Sequence, residues 1–328
     1  AMHLVFIKHG TESIRWLETF AAPFLILMGL ALLTWAYINA GGFGEMLSTP
    51  SQFVEGGAKE GQFWSAFFAG LTSMVGFWAT MALNIPDFTR FAKSQKDQML
   101  GQAIGLPLPM ALFAFIGVAV TSATVTIYGE AIWDPVALAG RMGGMGVVFA
   151  LAALALATLT TNLAANMVAP AYGFSNMAPS KISFRMGGYI TAGIGVAIFP
   201  WKLLETAGGY LFTWLTGYSA LLGPIAGILI ADYFILRKST LNIDALFQHS
   251  GEYGANNGWN MAGVAALVVG FLPNIPGFMP AAGFVDSVPA IFDTLYAYAW
   301  FVGLIIASVV YLLLSNRVPD TIQARSAS

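Results

Sequence analysis

Apolar residues fall in long runs along this chain, separated by short polar or Gly/Pro-rich stretches. They do not fall in the amphipathic segments of a water-soluble domain. Eight runs reach or approach about 20 residues, the length at which a helix crosses the hydrocarbon core of a bilayer. They are Trp16–Ile38, Phe63–Leu83, Gln102–Tyr128, Gly146–Pro170, Gly187–Trp201, Gly209–Leu236, Trp259–Met279 and Ile291–Ser315, the fifth being the shortest. Ahead of them, Met2–Ile7 is an apolar stub too short to span, and it reads as the tail of a truncated helix. The pattern predicts an all-α, polytopic membrane bundle forming a single unit over residues 1–328. In it, 1–15 are a helix remnant and cytoplasmic loop, 16–315 carry the spans, and 316–328 are a cytoplasmic tail.

Composition agrees with this pattern. Of the 328 residues, 57% are hydrophobic and 9% charged, against roughly 25% charged in soluble domains. Mean hydropathy is +0.72. The net charge of −2 argues against nucleic acid as a partner, because little could neutralise a phosphate backbone. With no cysteine in the chain, disulfides, thiolate chemistry and Cys-based metal sites are excluded. His3, His9 and His249 lie outside the long apolar runs and have no metal-ligand spacing. No cleavable signal is visible, and nothing in the sequence calls for a protein partner or a resident cofactor.

Lys and Arg collect in alternate connections. Lys8 and Arg15, Arg90, Lys93 and Lys96, Lys181 and Arg185, Arg237 and Lys238, and Arg317 and Arg325 form one set. The other holds Lys59, Arg141 and Lys202, so the count is eleven against three. Because cytoplasmic loops retain positive charge, both ends of the chain are expected in the cytoplasm of a cell with this protein in its inner (plasma) membrane. The outward loops, Gly41–Gly61 and Gly129–Met145, have room for short interfacial helices.

Polar side chains inside a span are costly and mark candidate sites. The fourth span holds Thr158, Thr160, Thr161, Asn162 and Asn166 within nine positions. Ala157, Thr160 and Thr161 stand at i, i+3 and i+4, so one carbonyl and two hydroxyls converge on one patch suited to a hard cation. Asn162 and Asn166 share another face, and their amides offer both donor and acceptor to a nucleobase-like ring. Interhelical hydrogen bonding is the competing use of such residues, and the density of the cluster favours a site.

In the second span, Gly70, Thr72, Ser73 and Gly76 would permit local unwinding, and Trp78 offers an indole face to a flat ring. Ordinary packing, with Gly76 allowing close approach, is the stronger reading of that stretch by itself. Pro86 stops or kinks the helix, and Asp87 with Arg90 is expected to close an ion pair at the boundary. Asp232 beside Arg237 and Lys238 reads as an interfacial anchor, and Gly217, Gly223, Pro224 and Gly227 make the sixth span bendable. With no carboxylate at the centre of a span, a metal cation bound by neutral oxygens is favoured over a proton relay.

These residues, in this order, resemble the nucleobase:cation symporter family 1, which includes cytosine, uracil, allantoin and hydantoin permeases. The likeness runs through Gly10–Glu18 (GTESIRWLE), Asn84–Phe91 (NIPDFTRF), Gly101–Pro107 (GQAIGLP) and Ala157–Asn166 with Pro170–Tyr172 (PAY). It continues through Phe199–Trp201 (FPW), Leu222–Gly227 (LGPIAG) and Asp232–Phe234 (DYF). The resemblance implies a leucine-transporter-like fold of two inverted five-helix repeats plus two further helices, with about the first three to four helices lying outside this chain.

It also implies roles. Ala157, Thr160 and Thr161 match one side of the family's sodium site. Asn166 matches the substrate-bonding asparagine, Trp78 the tryptophan that stacks on substrate, and Leu215 falls near a gating leucine. Phe77, where the family has glycine, would narrow the pocket beside Gly76, and Leu163 stands where the family has proline. The expected function is symport of a planar heterocycle with sodium, or alternatively with a proton, by alternating access. A leucine-transporter-like carrier of amino acids is the alternative within transport. A membrane-embedded enzyme would need His, Asp or Glu clustered at membrane depth, and the sequence has none there.

Overall fold

The computed structural model describes residues 2–48, 50–199, 201, 213–246, 248, 253 and 259–315. Its main helices are α1 (Met2–His9), α2 (Thr11–Asn39), α3 (Phe63–Asn84), α4 (Gln95–Gly105), α5 (Pro107–Tyr128), α6 (Met145–Asn162), α7 (Ala169–Met177) and α8 (Phe184–Ala197). These are followed by α9 (Thr216–Ile230), α10 (Met261–Phe271), α11 (Ile275–Ala281), α12 (Ala290–Ala297) and α13 (Ala299–Leu314). Between α6 and α7 the helix widens into a π turn over Leu163–Val168, and α9 runs on into another over Ala231–Leu236. Short helices do occupy the two loops where room for them was expected, at Phe43–Met46 and Pro135–Arg141.

Among the described residues, six helices are long and apolar enough to cross a membrane, and the bent pair α12–α13 would make a seventh. The expected spans differ from this in two places. The fifth forms only the 14-residue α8, about 21 Å long, which is short of the roughly 30 Å hydrocarbon core; its Pro200, like the start of the sixth span and His249, lies outside the described residues. The seventh is found as Met261–Ala281, tightening to a 3-10 turn over Leu272–Asn274 between α10 and α11, where Pro273 and Pro276 remove helix donors. The last bends by 86° between α12 and α13 with no proline or glycine to announce it.

The apolar surface confirms the membrane reading. On α2, Phe20, Phe24, Leu27 and Ile38 are exposed along one stripe, a face that water would oppose and acyl chains accept. Thr34 on that stripe donates its hydroxyl to Leu30 O at 2.8 Å, so no polar hydrogen is left unsatisfied there.

The chain forms two compact units. The first comprises 1–57 and 84–198. The apolar stub predicted at its start is helical, and Gly10 at φ +85° turns the chain into α2. Ile7, Ile14, Leu17, Leu159, Leu163, Met167 and Val168 form one core. A second core joins Ala36, Ala40 and Met46 to Ile116, Ala119, Val120 and Ala123 of α5. α8 docks through two glycines: a Cβ on Gly187 would lie 2.4 Å from Ala171 O, and one on Gly188 would lie 2.5 Å from Ile7 Cγ2.

The second unit comprises 58–83 and 199–328. α9 and α13 are held at backbone contact. Cβ atoms on Gly223 and Gly227 would meet Trp300 O and Leu304 O at 2.3 Å, and one on Gly303 would meet Pro224 Cδ at 2.6 Å. Small residues in membrane helices work this way, letting backbones approach where burial supplies little driving force. The glycines of the sixth span are thus packing contacts. At the C-terminal end of that span Asp232 accepts from Arg237 Nε at 2.6 Å and from the Tyr311 hydroxyl at 2.8 Å, which in turn accepts from Asn260 Nδ2 at 3.1 Å. This is the anchor the sequence led us to expect.

Candidate functional site

The candidate residues divide between the units. In the first, all lie on α6 and its π turn. Pro170 has no N–H to offer the Asn166 carbonyl four residues back, and the widened turn immediately before it accommodates that loss. Such turns recur at functional sites.

Thr160 is 2% exposed, and its hydroxyl lies 3.0 Å from Leu156 O and 3.1 Å from Ala157 O. Its single hydrogen is occupied by these carbonyls, which leaves the oxygen lone pairs for another partner. Ala157 O and Thr160 Oγ1 are therefore together, two of the three oxygens expected to converge there. Thr161 differs in environment, being exposed where Thr160 is buried. The pair that is placed together, one carbonyl oxygen and one hydroxyl oxygen, carries no charge and is of the donor type that hard cations take. Among the described residues no group of three or more His, Asp or Glu could hold a metal ion.

Asn166, exposed, donates through Nδ2 to Asn162 Oδ1 at 2.8 Å. Asn162 in turn places its Nδ2 3.0 Å from His3 Nε2 of α1. The two asparagines share a face as expected, but as a bonded pair with one outward amide, not as two independent contacts. Sequence reasoning missed His3, since 159 positions separate it from Asn162 and no local signal pairs them. Leu163, the departure from the family's proline, is fully buried in the first unit's core.

The second unit holds Gly76, Phe77, Trp78 and Leu215. α3 is a continuous α-helix over 22 residues, without the local unwinding that its glycines and hydroxyls would permit. Its polar residues act as glue instead. Thr72 donates to Ala297 O at 2.7 Å, and Ser73 Oγ lies 2.9 Å from Thr216 Oγ1. Ser219 Oγ lies 2.8 Å from Thr72 O and 2.9 Å from Leu215 O. Gly76 is the contact that makes this possible: a Cβ there would stand 2.2 Å from Ser219 Oγ and 2.4 Å from Leu215 O. Leu215 is buried, 4% exposed.

Phe77 is 42% exposed and meets the Trp78 ring edge-on, centroids 5.3 Å apart. Trp78 lines an apolar cavity of about 410 Å³ with Leu71, Met74, Leu222 and Trp300 among its walls. The indole nitrogens of Trp78 and Trp300 are buried without acceptors. Just beyond the C-terminal end of α3, Arg90 does not close an ion pair with Asp87. Its guanidinium stands 4.1 Å from the Tyr172 ring centroid and 5.0 Å from that of Phe91, a cation–π arrangement. One further group went unremarked in the sequence: Glu18 of α2 has a buried carboxyl oxygen, Oε1, with no hydrogen-bond partner.

With this geometry in hand, comparison with known proteins is decisive. Residues 1–303 match the family described as permease for cytosine/purines, uracil, thiamine and allantoin. The chain belongs to that family.

The purine-uracil permease NCS1 of Arabidopsis thaliana is 46% identical over 318 residues, covering 96% of this chain and 52% of the permease. The allantoin permease of Bacillus subtilis (strain 168) is 41% identical over 321 residues, covering 97% and 62%. Among solved structures, the inward-facing conformation of Mhp1 superposes with a TM-score of 0.66 at 26% identity, over 97% of this chain and 64% of that one. Mhp1 in a closed conformation with bromovinylhydantoin bound gives 0.67 at 26%, over 98% and 66%. Mhp1 is a nucleobase-cation-symport-1 family transporter, so the leucine-transporter-like fold expected from the resemblance is the fold found. This permease-family chain is a multi-pass membrane protein, and it spans about half to two thirds of the length of the relatives it matches. The relatives are permeases, not enzymes.

Proposed function

We propose that the complete polypeptide containing this chain is a secondary transporter that brings a nucleobase or related planar heterocycle (uracil, cytosine, allantoin or hydantoin) into the cell together with sodium. The observation that carries this reading is the pairing, on one π-widened apolar helix, of a buried hydroxyl over a carbonyl at Thr160 and Ala157 with a bonded amide pair ending in the exposed Asn166. Ala157, Thr160 and Thr161 would supply part of the ion's oxygen shell. Asn166, with Asn162 behind it, would hydrogen-bond the ring's amide-like edge. Trp78 would stack on its face, flanked by Phe77, and Leu215 would act as a gate. The names of the relatives support the substrate class. Transport would proceed by alternating access around a midplane site, with both ends of this chain cytoplasmic. A proton as the coupling ion is favoured by one feature, the unpartnered buried oxygen of Glu18.

The test is uptake of labelled uracil, cytosine, allantoin and hydantoin into proteoliposomes bearing the complete polypeptide, with sodium present or replaced by potassium. At least one substrate should show saturable uptake that sodium stimulates. Asn166→Ala and Trp78→Ala should each lower it by about tenfold or more, the worth of one desolvated hydrogen bond or one stacked ring. Undiminished uptake in both variants would remove the site assignment. Sodium-independent uptake abolished in Glu18→Gln would replace sodium with a proton.

A further inference from the structure

His3, Asn162 and Asn166 form a hydrogen-bonded row, and the chemistry of its members allows only two arrangements. Asn162 Nδ2 can only donate, so at 3.0 Å from His3 Nε2 it requires that nitrogen to be an unprotonated acceptor. Asn162 then turns Oδ1 toward Asn166, which donates to it from Nδ2 at 2.8 Å. Asn166 is left with Oδ1 and one N–H on its open side, in a set order. If His3 instead carried its hydrogen on Nε2, Asn162 would have to turn its oxygen to the ring and its N–H₂ to Asn166. Asn166 would then have to turn over in its own right. Each amide flip exchanges donor and acceptor, and two in series carry the exchange from the histidine to the exposed end.

We infer that His3 is a specificity-determining residue that never touches the substrate: the hydrogen position on its imidazole sets which way round Asn166 presents its amide to the heterocycle. The inference rests on the reading of Asn166 as a substrate contact. It adds that the order of donor and acceptor read from the ring edge is decided two residues away, on α1. α1 is docked for this purpose, since Ile7 packs into the glycine gap at Gly188 and Ser13 Oγ lies 3.2 Å from Phe6 O. An exposed asparagine by itself would rotate freely and accept either order. A pinned one discriminates, because the mismatched ring leaves donor facing donor.

Two measurements on the complete polypeptide test this. Nitrogen-15 histidine labelling reports the ring hydrogens directly, and only three histidines need assignment within this chain. In mildly alkaline buffer, without ligand, His3 should show a protonated Nδ1 and a bare Nε2; an Nε2-protonated ring would overturn the inference. The second measurement is the ratio of dissociation constants for uracil and cytosine, which at positions 4 and 3 present acceptor then donor in uracil and donor then acceptor in cytosine.

His3→Gln keeps an acceptor available and should leave the ratio within about threefold of wild type. His3→Lys offers only donors and should shift it toward the other base by about tenfold, the worth of one hydrogen bond exchanged for one clash. An unchanged ratio in His3→Lys protein that elutes and melts like wild type would refute the inference. If that variant fails to fold, the histidine spectrum decides. If neither base binds wild type, or Asn166→Ala leaves both constants unchanged, it is the transport site that falls, and the tautomer still answers for the row.

Discussion

Gly76 separates two uses of a glycine beside a candidate substrate-stacking tryptophan. As a pocket residue it would keep room for the ring; as a packing residue it holds α3 against α9. The geometry weighs on the second. A Cβ at this position would lie 2.2 Å from Ser219 Oγ and 2.4 Å from Leu215 O, where ordinary contact begins at 3.4 Å. Gly76→Ala must therefore push the helices apart by about 1 Å, because a backbone carbonyl cannot swing away as a side chain can. Overpacking of this kind costs about 1–3 kcal/mol. Displacing Ser219 from Thr72 O and Leu215 O adds roughly 0.6–1.7 kcal/mol for an interhelical bond in a membrane.

The expected total is about 2–4 kcal/mol, seen as a melting temperature lowered by several degrees in detergent by a thiol-independent fluorescence or light-scattering assay. Ser219→Ala in the same background removes the nearer clash but not the one with the Leu215 carbonyl. The double variant should thus recover only part of the loss, a coupling a double-mutant cycle resolves. A Gly76→Ala protein that melts like wild type while its substrate affinity falls would refute this reasoning and return the glycine to the pocket.

Two other outcomes follow from the same contacts. Thr160→Val keeps the shape of a buried side chain but removes the hydroxyl over Ala157 O. The sodium concentration for half-maximal uptake should rise about tenfold, with stability nearly unchanged because both carbonyls remain in the helix ladder, and an unaltered sodium curve would exclude Thr160 from the ion's shell. Asp232→Asn weakens the acceptor for Arg237 and Tyr311, whose partners lie 2.6 and 2.8 Å away on side chains only 15% and 25% exposed at the ion pair. It should cost about 1–2 kcal/mol in a thermal melt and leave substrate affinity as it was.

Much of the molecule was legible in the order of its residues. Hydrophobic run length is a one-dimensional quantity, and the bilayer fixes the length that matters, so most of the long spans could be read directly, as could the two loops that hold short helices. The i, i+3 spacing placed Ala157 O beside Thr160 Oγ1, and i, i+4 placed Asn166 beside Asn162, because both are local consequences of helical pitch, whereas Thr161 at i+4 is exposed where Thr160 is buried. The Asp232 anchor was legible for the same reason, its partner Arg237 being one turn away. Where local signals compete, the reading failed: Asp87 and Arg90 have ion-pair spacing, yet the guanidinium takes the Tyr172 ring, which only packing brings near.

The sequence by itself determined that this chain crosses a membrane, which helix carries uncharged oxygens and amides, and which family it belongs to. Those properties depend on composition and on neighbours within a turn or two. Tertiary structure alone decided that Gly76 faces a carbonyl, that the last span turns through 86°, and that His3 closes a row with two asparagines more than a hundred and fifty positions away. Contacts between helices depend on how whole faces dock, and a glycine or a histidine carries no mark of what will be set against it.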